Sequence, residues 1–150
     1  MKLKNNSVAN KTILAELEAK LVKADVTVPQ YPLWWHHFLA LMQKWVEDTF
    51  QHGFSHGSTG DKLKRKKLVV SVTFGAPDIL YHKNAAMGFE IEEFLAPVKA
   101  ACGLCGIEFA GYIYTGGVSY QSRDDAAAMD DMVTRSKDHA DRVVAPVSSL

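Results

Sequence analysis

Apolar positions along the chain recur at two periods, and the alternation between them sets out the elements. Over residues 7–21, Ile13, Leu14, Leu17 and Leu21 fall at helical spacing, with Glu16 one turn ahead of Lys20. Asn6 and Ser7 are both N-cap candidates, because short polar side chains accept from the first unbonded N–H groups of a helix. Residues 24–30 are a β-branched run, read as a parallel strand that Pro29 weakens at its C-terminal end. Pro32 then leads a second helix, in which Phe38, Leu39, Met42, Trp45, Val46, Thr49 and Phe50 make one broad apolar face. That face makes Trp45 a core residue. It leaves Trp34, Trp35, His36 and His37 ahead of the stripe, in a strand-to-helix turn that helix packing does not explain.

Residues 52–60 form a glycine-rich loop, followed by a basic run over 61–67. Residues 68–74 are continuously apolar, the pattern of a strand covered on both faces, and they run into a turn at 75–78. Residues 91–105 read as a helix with Leu95, Val98, Cys102 and Cys105 on one side. Pro97 marks a kink or restart in it, and Gly106 suits its C-cap. A strand over 107–114 stops at Gly116 and Gly117. Ser122 opens a last helix with an S-x-x-D start, running to about Val143, and residues 146–150 are expected to be a loose tail. No internal repeat is present. Helices and strands alternate, which predicts a single α/β domain over residues 1–150 with a mostly parallel sheet. In such sheets ligands bind beyond the carboxyl ends of the strands. Here those ends lead into residues 30–35, 73–77 and 115–117, and that edge is the expected site.

Composition narrows the function classes. A chain of 150 residues buries roughly 70% of its unfolded surface without staples. Lys plus Arg and Asp plus Glu both number 17, so the overall charge gives no reason to expect nucleic acid or an anionic membrane as partner. No apolar run reaches the ~18 residues of a bilayer span. The first ten residues lack an apolar h-region, and two cysteines make no disulfide framework, so a reducing, cytoplasmic location is expected.

Most other chemistry-bearing residues have bland readings. His52 and His56 have a metal-like spacing without a third ligand, so no metal site is expected. Cys102 and Cys105 match C-x-x-C but close a helix rather than open one, which favours packing over redox chemistry. The basic run 62–67 reads as a solvated approach to a strand, and Asp124, Asp125, Asp130 and Asp131 as solvent-facing. Trp34 and Trp35 either plug the core at a strand end or present aromatic faces to a ligand.

Several motifs in unbroken order decide between those two. YPLWW before an apolar helix (31–35), HGFSHG (52–57), LKRKKLVVSVTFGAP (63–77) and CGLCGIEFAGYIYTGG (102–117) together resemble the flavodoxin-like NAD(P)H:quinone oxidoreductase family. That family includes soluble quinone reductases and the flavoprotein ancillary subunits of potassium efflux systems. The resemblance covers roughly residues 22–143. It implies a flavodoxin-like three-layer parallel sheet, bound FMN or FAD, a homodimer, and hydride transfer from NADH or NADPH through the flavin to a quinone. By matching position, Pro32, Leu33, Trp34, Trp35 and His36 would wrap the isoalloxazine ring. Thr73, Phe74, Gly75 and Ala76 would form a second flavin loop, and Ser7, Val8, Ala9 and Asn10 the phosphate loop. Tyr81 is the implied catalytic residue, placed to donate to charge developing on the flavin, and His56 falls on the substrate side.

Measured against the family pattern, the first two strands have no counterpart. Only residues 1–6 precede Ser7, and the first helix gives way almost at once to the strand near Ala24. In the flavodoxin order 2-1-3-4-5 this leaves 3-4-5, with residues 25–28 as an exposed edge. Met87 stands where some members place a histidine that partners the tyrosine. The alternative reading is therefore a regulatory or interaction subunit with an impaired flavin site, peripherally associated with a transporter such as a potassium efflux system.

Overall fold

The computed structural model describes residues 8–149, and side chains from residue 11 onward. The caps expected at Asn6 and Ser7, and Ser7 of the expected phosphate loop, lie outside the described residues. So do Leu150 and the side chains of Val8, Ala9 and Asn10. The elements are α1 (Val8–Lys23), β1 (Val26–Thr27), β2 (Gln30–Pro32), α2 (Ala40–Thr49), β3 (Lys67–Thr73), α3 (Ile91–Phe94), α4 (Ala96–Cys105), β4 (Glu108–Thr115) and α5 (Ala126–Val147). Among the described residues no helix is long and apolar enough to cross a membrane.

The sheet is parallel and organised around β3, whose Leu68, Val69, Val70, Ser71 and Val72 are all buried. β4 pairs with β3 along its whole length, so β1 and β2 both lie on the other side of it. Val26 pairs with Lys67 and Gln30 with Ser71, the same offset, so β1 and β2 are two pieces of one strand. Pro29 has no N–H and interrupts the ladder there without shifting it, while its carbonyl still accepts from Ser71 N–H at 3.0 Å. The strand therefore continues past the proline to Pro32 rather than fading at 30.

Alternation along β3 divides the layers. Leu68, Val70, Val72 and Phe74 join Ile91, Leu95, Val98 and Cys102 in one cluster, against which Phe38 and Met42 also pack. Ser71 faces the opposite way and bonds His139 of α5. α2 and α4 thus cover one face and α5 the other, a three-layer arrangement. β4 carries a bulge: Leu68 pairs with Phe109 but Val69 with Gly111, whose φ is +135°. The extra residue reverses the side-chain parity of the strand. Ile107 and Phe109 before it, and Tyr112 and Tyr114 after it, consequently all pack on the same cluster. The same reversal turns Thr115 towards α5.

Several boundaries depart from the sequence pattern. α2 begins at Ala40, not Pro32, because residues 34–37 form a tight turn first. Trp45 is half-buried against Phe50 at 5.7 Å rather than a core residue. The 91–105 segment is two helices broken at Leu95, with Pro97 in the first turn of the second and Gly106 in the left-handed C-cap. Asp125 caps α5, accepting from Ala127 N–H and Ala128 N–H, so the helix starts later than Ser122 suggests. It also runs on through Pro146 to Val147, where the missing N–H forfeits only a last-turn bond, so the expected tail is still helical at its start.

Candidate functional site

The three strand ends are level. Pro32, Thr73 and Thr115 are register partners across the sheet, and the chain leaving each is bonded to its neighbour. Leu33 N–H donates to Thr73 O at 2.7 Å and Phe74 N–H to Thr115 O at 3.1 Å. The loops that follow are therefore held side by side on one edge, as the parallel α/β pattern predicts.

The first loop is a two-residue turn. Trp34 and His37 bridge, with His37 N–H donating to Trp34 O at 3.1 Å, and the residues between them both have left-handed backbones: Trp35 at φ 49° and His36 at φ 63°. Such turns favour Asn and Gly, and a tryptophan there is an outlier. The consequence is display. Trp34 is 64% exposed and Trp35 82% exposed. His36 turns the other way, stacking on Phe94 at 4.7 Å and meeting Tyr81 edge-on at 6.0 Å. Its Nδ1 is buried with no hydrogen-bond partner among the described residues, a cost that a bound group would remove.

The second loop follows β3. Phe74 is buried against Tyr81 (4.4 Å) and Tyr114 (5.8 Å), so its side chain is core and only its backbone borders the edge. Gly75 and Ala76 N–H groups donate to nothing among the described residues. Beyond a single 3-10 turn (Asp78–Leu80) stands Tyr81, 5% exposed. Burial raises its phenol above the ordinary value, so it keeps its proton at neutral pH. The segment after it is pinned by Glu90, which accepts from Lys83 N–H at 3.2 Å and meets His82 Nδ1 at 3.0 Å while capping α3. Those bonds, the Lys83 backbone first, hold the Glu90 carboxyl below its usual range. Met87 packs on the adjoining core.

The third loop braces the second. Gly117 N–H donates to Ala76 O at 2.8 Å and Val118 N–H to Phe74 O at 3.0 Å. Gly116 has no room for a side chain: a Cβ would lie 2.8 Å from Ala76 O and closer still to Asp78 and Phe74. α5 grips this loop from behind. Arg135 bonds Gly116 O, and Arg142 bonds Tyr114 O (3.1 Å) and Thr115 Oγ1 (2.8 Å). Buried His139 bridges Thr115 Oγ1 and Ser71 Oγ, each at 2.8 Å. Burial, and then Arg142, lower its pKa, so it sits there neutral.

The structure thus gathers Pro32, Leu33, Trp34, Trp35, His36, Thr73, Phe74, Gly75, Ala76 and Tyr81 on one edge. His56 is not among them. α2 runs back along the sheet, so the 51–60 loop lies near the start of β3, and His56 instead meets His52 at 5.6 Å and Ser55 Oγ at 3.0 Å. Val8, Ala9 and Asn10 belong to the first turn of α1. Cys102 and Cys105 are free and buried, and burial pushes the Cys102 thiol up to about 11, so Cys102 is not a ready nucleophile. Among the described residues no group of His, Cys, Asp and Glu could hold a metal ion. Arg135, His139 and Arg142 escaped sequence reasoning. Their spacing along one helix face was the available signal.

With this geometry in hand, comparison with known proteins gives concordant findings. A family described as having a flavodoxin-like fold matches residues 3–140. The uncharacterized NAD(P)H oxidoreductase YdeQ of Bacillus subtilis (strain 168) is 32% identical over 92 residues, 61% of this chain and 47% of that protein. The glutathione-regulated potassium-efflux system ancillary protein KefF of Enterobacter sp. (strain 638) is 33% identical over 100 residues, 67% of this chain and 55% of that protein. The chain therefore spans about half the length of these relatives. Among solved structures, general stress protein 14 of Treponema denticola in complex with FMN superposes with a TM-score of 0.75 at 25% identity. The match covers 89% of this chain and 72% of that one.

Proposed function

The chain belongs to the family of flavodoxin-like fold, and on that premise we propose that it is a flavin-dependent NAD(P)H:quinone oxidoreductase. The observation that carries the proposal is the convergence of three level strand ends on one edge that offers two displayed indoles and, with no partner among the described residues, two backbone N–H groups and a buried imidazole nitrogen. A flavin fits that set. Its ring is flat and aromatic, as indole faces require, and its rim carries the polar atoms that the Gly75 and Ala76 N–H groups and His36 Nδ1 lack.

When bound, the flavin, FMN or FAD, supplies hydride acceptance from NADH or NADPH and two-electron delivery to the quinone. The chain's own residues do the rest. Trp34 and Trp35 cover a ring face and keep water from it. The Gly75 and Ala76 N–H groups would offer positive dipole to negative charge gathering on a bound ring. Tyr81, kept protonated by burial, holds a proton available for donation. The first turn of α1, Val8, Ala9 and Asn10 with Ser7, is the proposed phosphate end, where the helix dipole and unbonded N–H groups favour an anion.

The acting unit in this reading is a homodimer. Trp34, Trp35, Leu41, Ile79 and Tyr120 are all exposed, apolar surface that a second copy would cover. Within one protomer His56 stands away from the edge, so a substrate role for it requires a second copy.

The test is direct. Purified protein is expected to be yellow, or to become so with added FMN or FAD, and to oxidise NAD(P)H with a quinone acceptor. Colourless protein that takes up neither flavin overturns the proposal. A second reading, a regulatory subunit of a potassium efflux system, is favoured by the likeness to KefF. It predicts flavin-independent association with such a transporter.

A further inference from the structure

At the opposite end of the sheet, where the strands begin, the chain gathers cations. Lys62, Lys64, Arg65, Lys66 and Lys67 line a hollow of about 500 Å³ with Asp25 as its one carboxylate. The lining is strongly positive in a chain whose formal net charge is +0. A merely solvated run of lysines needs no fixed shape. This one has a shape. Leu63, 2% exposed, plugs the protein in the middle of the run. Backbone bonds then tie the run on three sides: Lys62 N–H to Phe54 O at 3.1 Å, Arg65 N–H to Gly106 O at 2.8 Å, and Lys67 N–H to Asp25 O at 3.0 Å. Lys66 Nζ donates to Ala24 O at 2.6 Å.

Arg65 is the outlier. Its φ is +67°, a left-handed conformation that disfavours any side chain with a Cβ, where Gly or Asn would sit at ease. An exposed arginine held against that preference on the rim of a hollow suggests a use for its guanidinium. Lys62 has an acidic partner, Asp61 at 3.3 Å, but Lys64 and Arg65 form no ion pair among the described residues. Lys64 and Arg65, crowded by like charge with only Asp25 as a carboxylate in the lining, favour an incoming anion.

We propose that this hollow binds a small anion carrying several phosphate groups, of the diphosphate or triphosphate class. Its volume is in the range of small-molecule sites. A guanidinium fork among ammonium groups matches clustered phosphate oxygens. No aromatic ring lines it, so nothing is offered for a nucleobase to stack on. The fixed backbone reduces the ordering cost of binding. β3 separates hollow and aromatic edge by its full length, roughly 20 Å, so the proposal stands apart from the flavin reading.

Clustered phosphates could reach the hollow as a free ion or as lipid headgroups, and the free ion is the occupant proposed. Isothermal titration with sodium tripolyphosphate, with orthophosphate at matched ionic strength, and with phosphatidylglycerol vesicles separates these. Saturable tripolyphosphate binding is expected, at least tenfold tighter than orthophosphate. Arg65→Gly is expected to weaken it about tenfold while melting no lower than the parent, because the glycine relieves the backbone. Lys64→Ala provides a second variant with the same expected weakening, and Lys44→Ala, on α2, is expected to leave binding unchanged. Equal binding of the two phosphates, equal loss in Lys44→Ala, or vesicle binding without saturable tripolyphosphate binding overturns the proposal.

Discussion

Trp35 offers a test in which two small residues should rank in the reverse of their usual order. Truncating it to alanine or to glycine removes the same indole, so the lost contacts are common to both variants. They differ at the backbone. With φ at 49°, an alanine Cβ retains the left-handed penalty of ~1–2 kcal/mol, which glycine escapes. Glycine in turn loses roughly 0.5–1 kcal/mol more conformational entropy on folding. The net expectation is that Trp35→Gly is more stable than Trp35→Ala by about 0.5–1 kcal/mol, or ~1–4 °C in Tm for a chain of this size. At Lys137, an exposed position within α5, the order should be the usual one, with glycine about 1 kcal/mol below alanine. Urea melts of the four variants measure both differences. If Trp35→Ala equals or exceeds Trp35→Gly in stability, the turn is not left-handed and the argument for displayed indoles fails.

Other expectations follow from the same edge. Gly116→Ala drives a Cβ to 2.8 Å from the Ala76 carbonyl, a backbone atom that cannot swing aside, so a loss of ~2–3 kcal/mol in a urea melt is expected, with weakened flavin uptake. His139 has a lowered folded pKa, so below about 6.5 the unfolded chain takes up a proton that the native state resists. Stability should therefore fall as pH drops from that value towards the folded pKa, and His139→Gln should flatten this part of the pH profile. Tyr81→Phe keeps the buried ring, so its Tm should stay within a few degrees of the parent while NAD(P)H oxidation with a quinone slows at least tenfold.

How legible this fold was depended on how local the cause was. The β3 run 68–74 declared itself by unbroken apolarity, and Pro97 and Gly106 marked a restart and a stop through their own backbone chemistry. The convergence of three loops followed from parallel topology alone. What stayed hidden depends on register. The bulge opposite Leu68 and Val69 turns Thr115 towards α5, and only then do Arg135, His139 and Arg142 acquire a purpose. Residues 34–37 were likewise opaque, since Trp-His is the opposite of what a two-residue left-handed turn prefers. A sequence that breaks its local rule there does so at the proposed site, where strain has a use. His56 carried a role by resemblance that a single protomer's geometry does not supply.

The central claim is that the three level strand ends form one seat for a flat redox ring. Its most direct test is an amide and indole N–H spectrum of isotopically labelled protein titrated with FMN. The account predicts saturable shifts at the Gly75 and Ala76 amides and at the Trp34 and Trp35 indoles, with the Gly57 and Gly60 amides unmoved. FMN binding that shifts the 52–60 loop instead, or leaves all four edge signals in place, would contradict it.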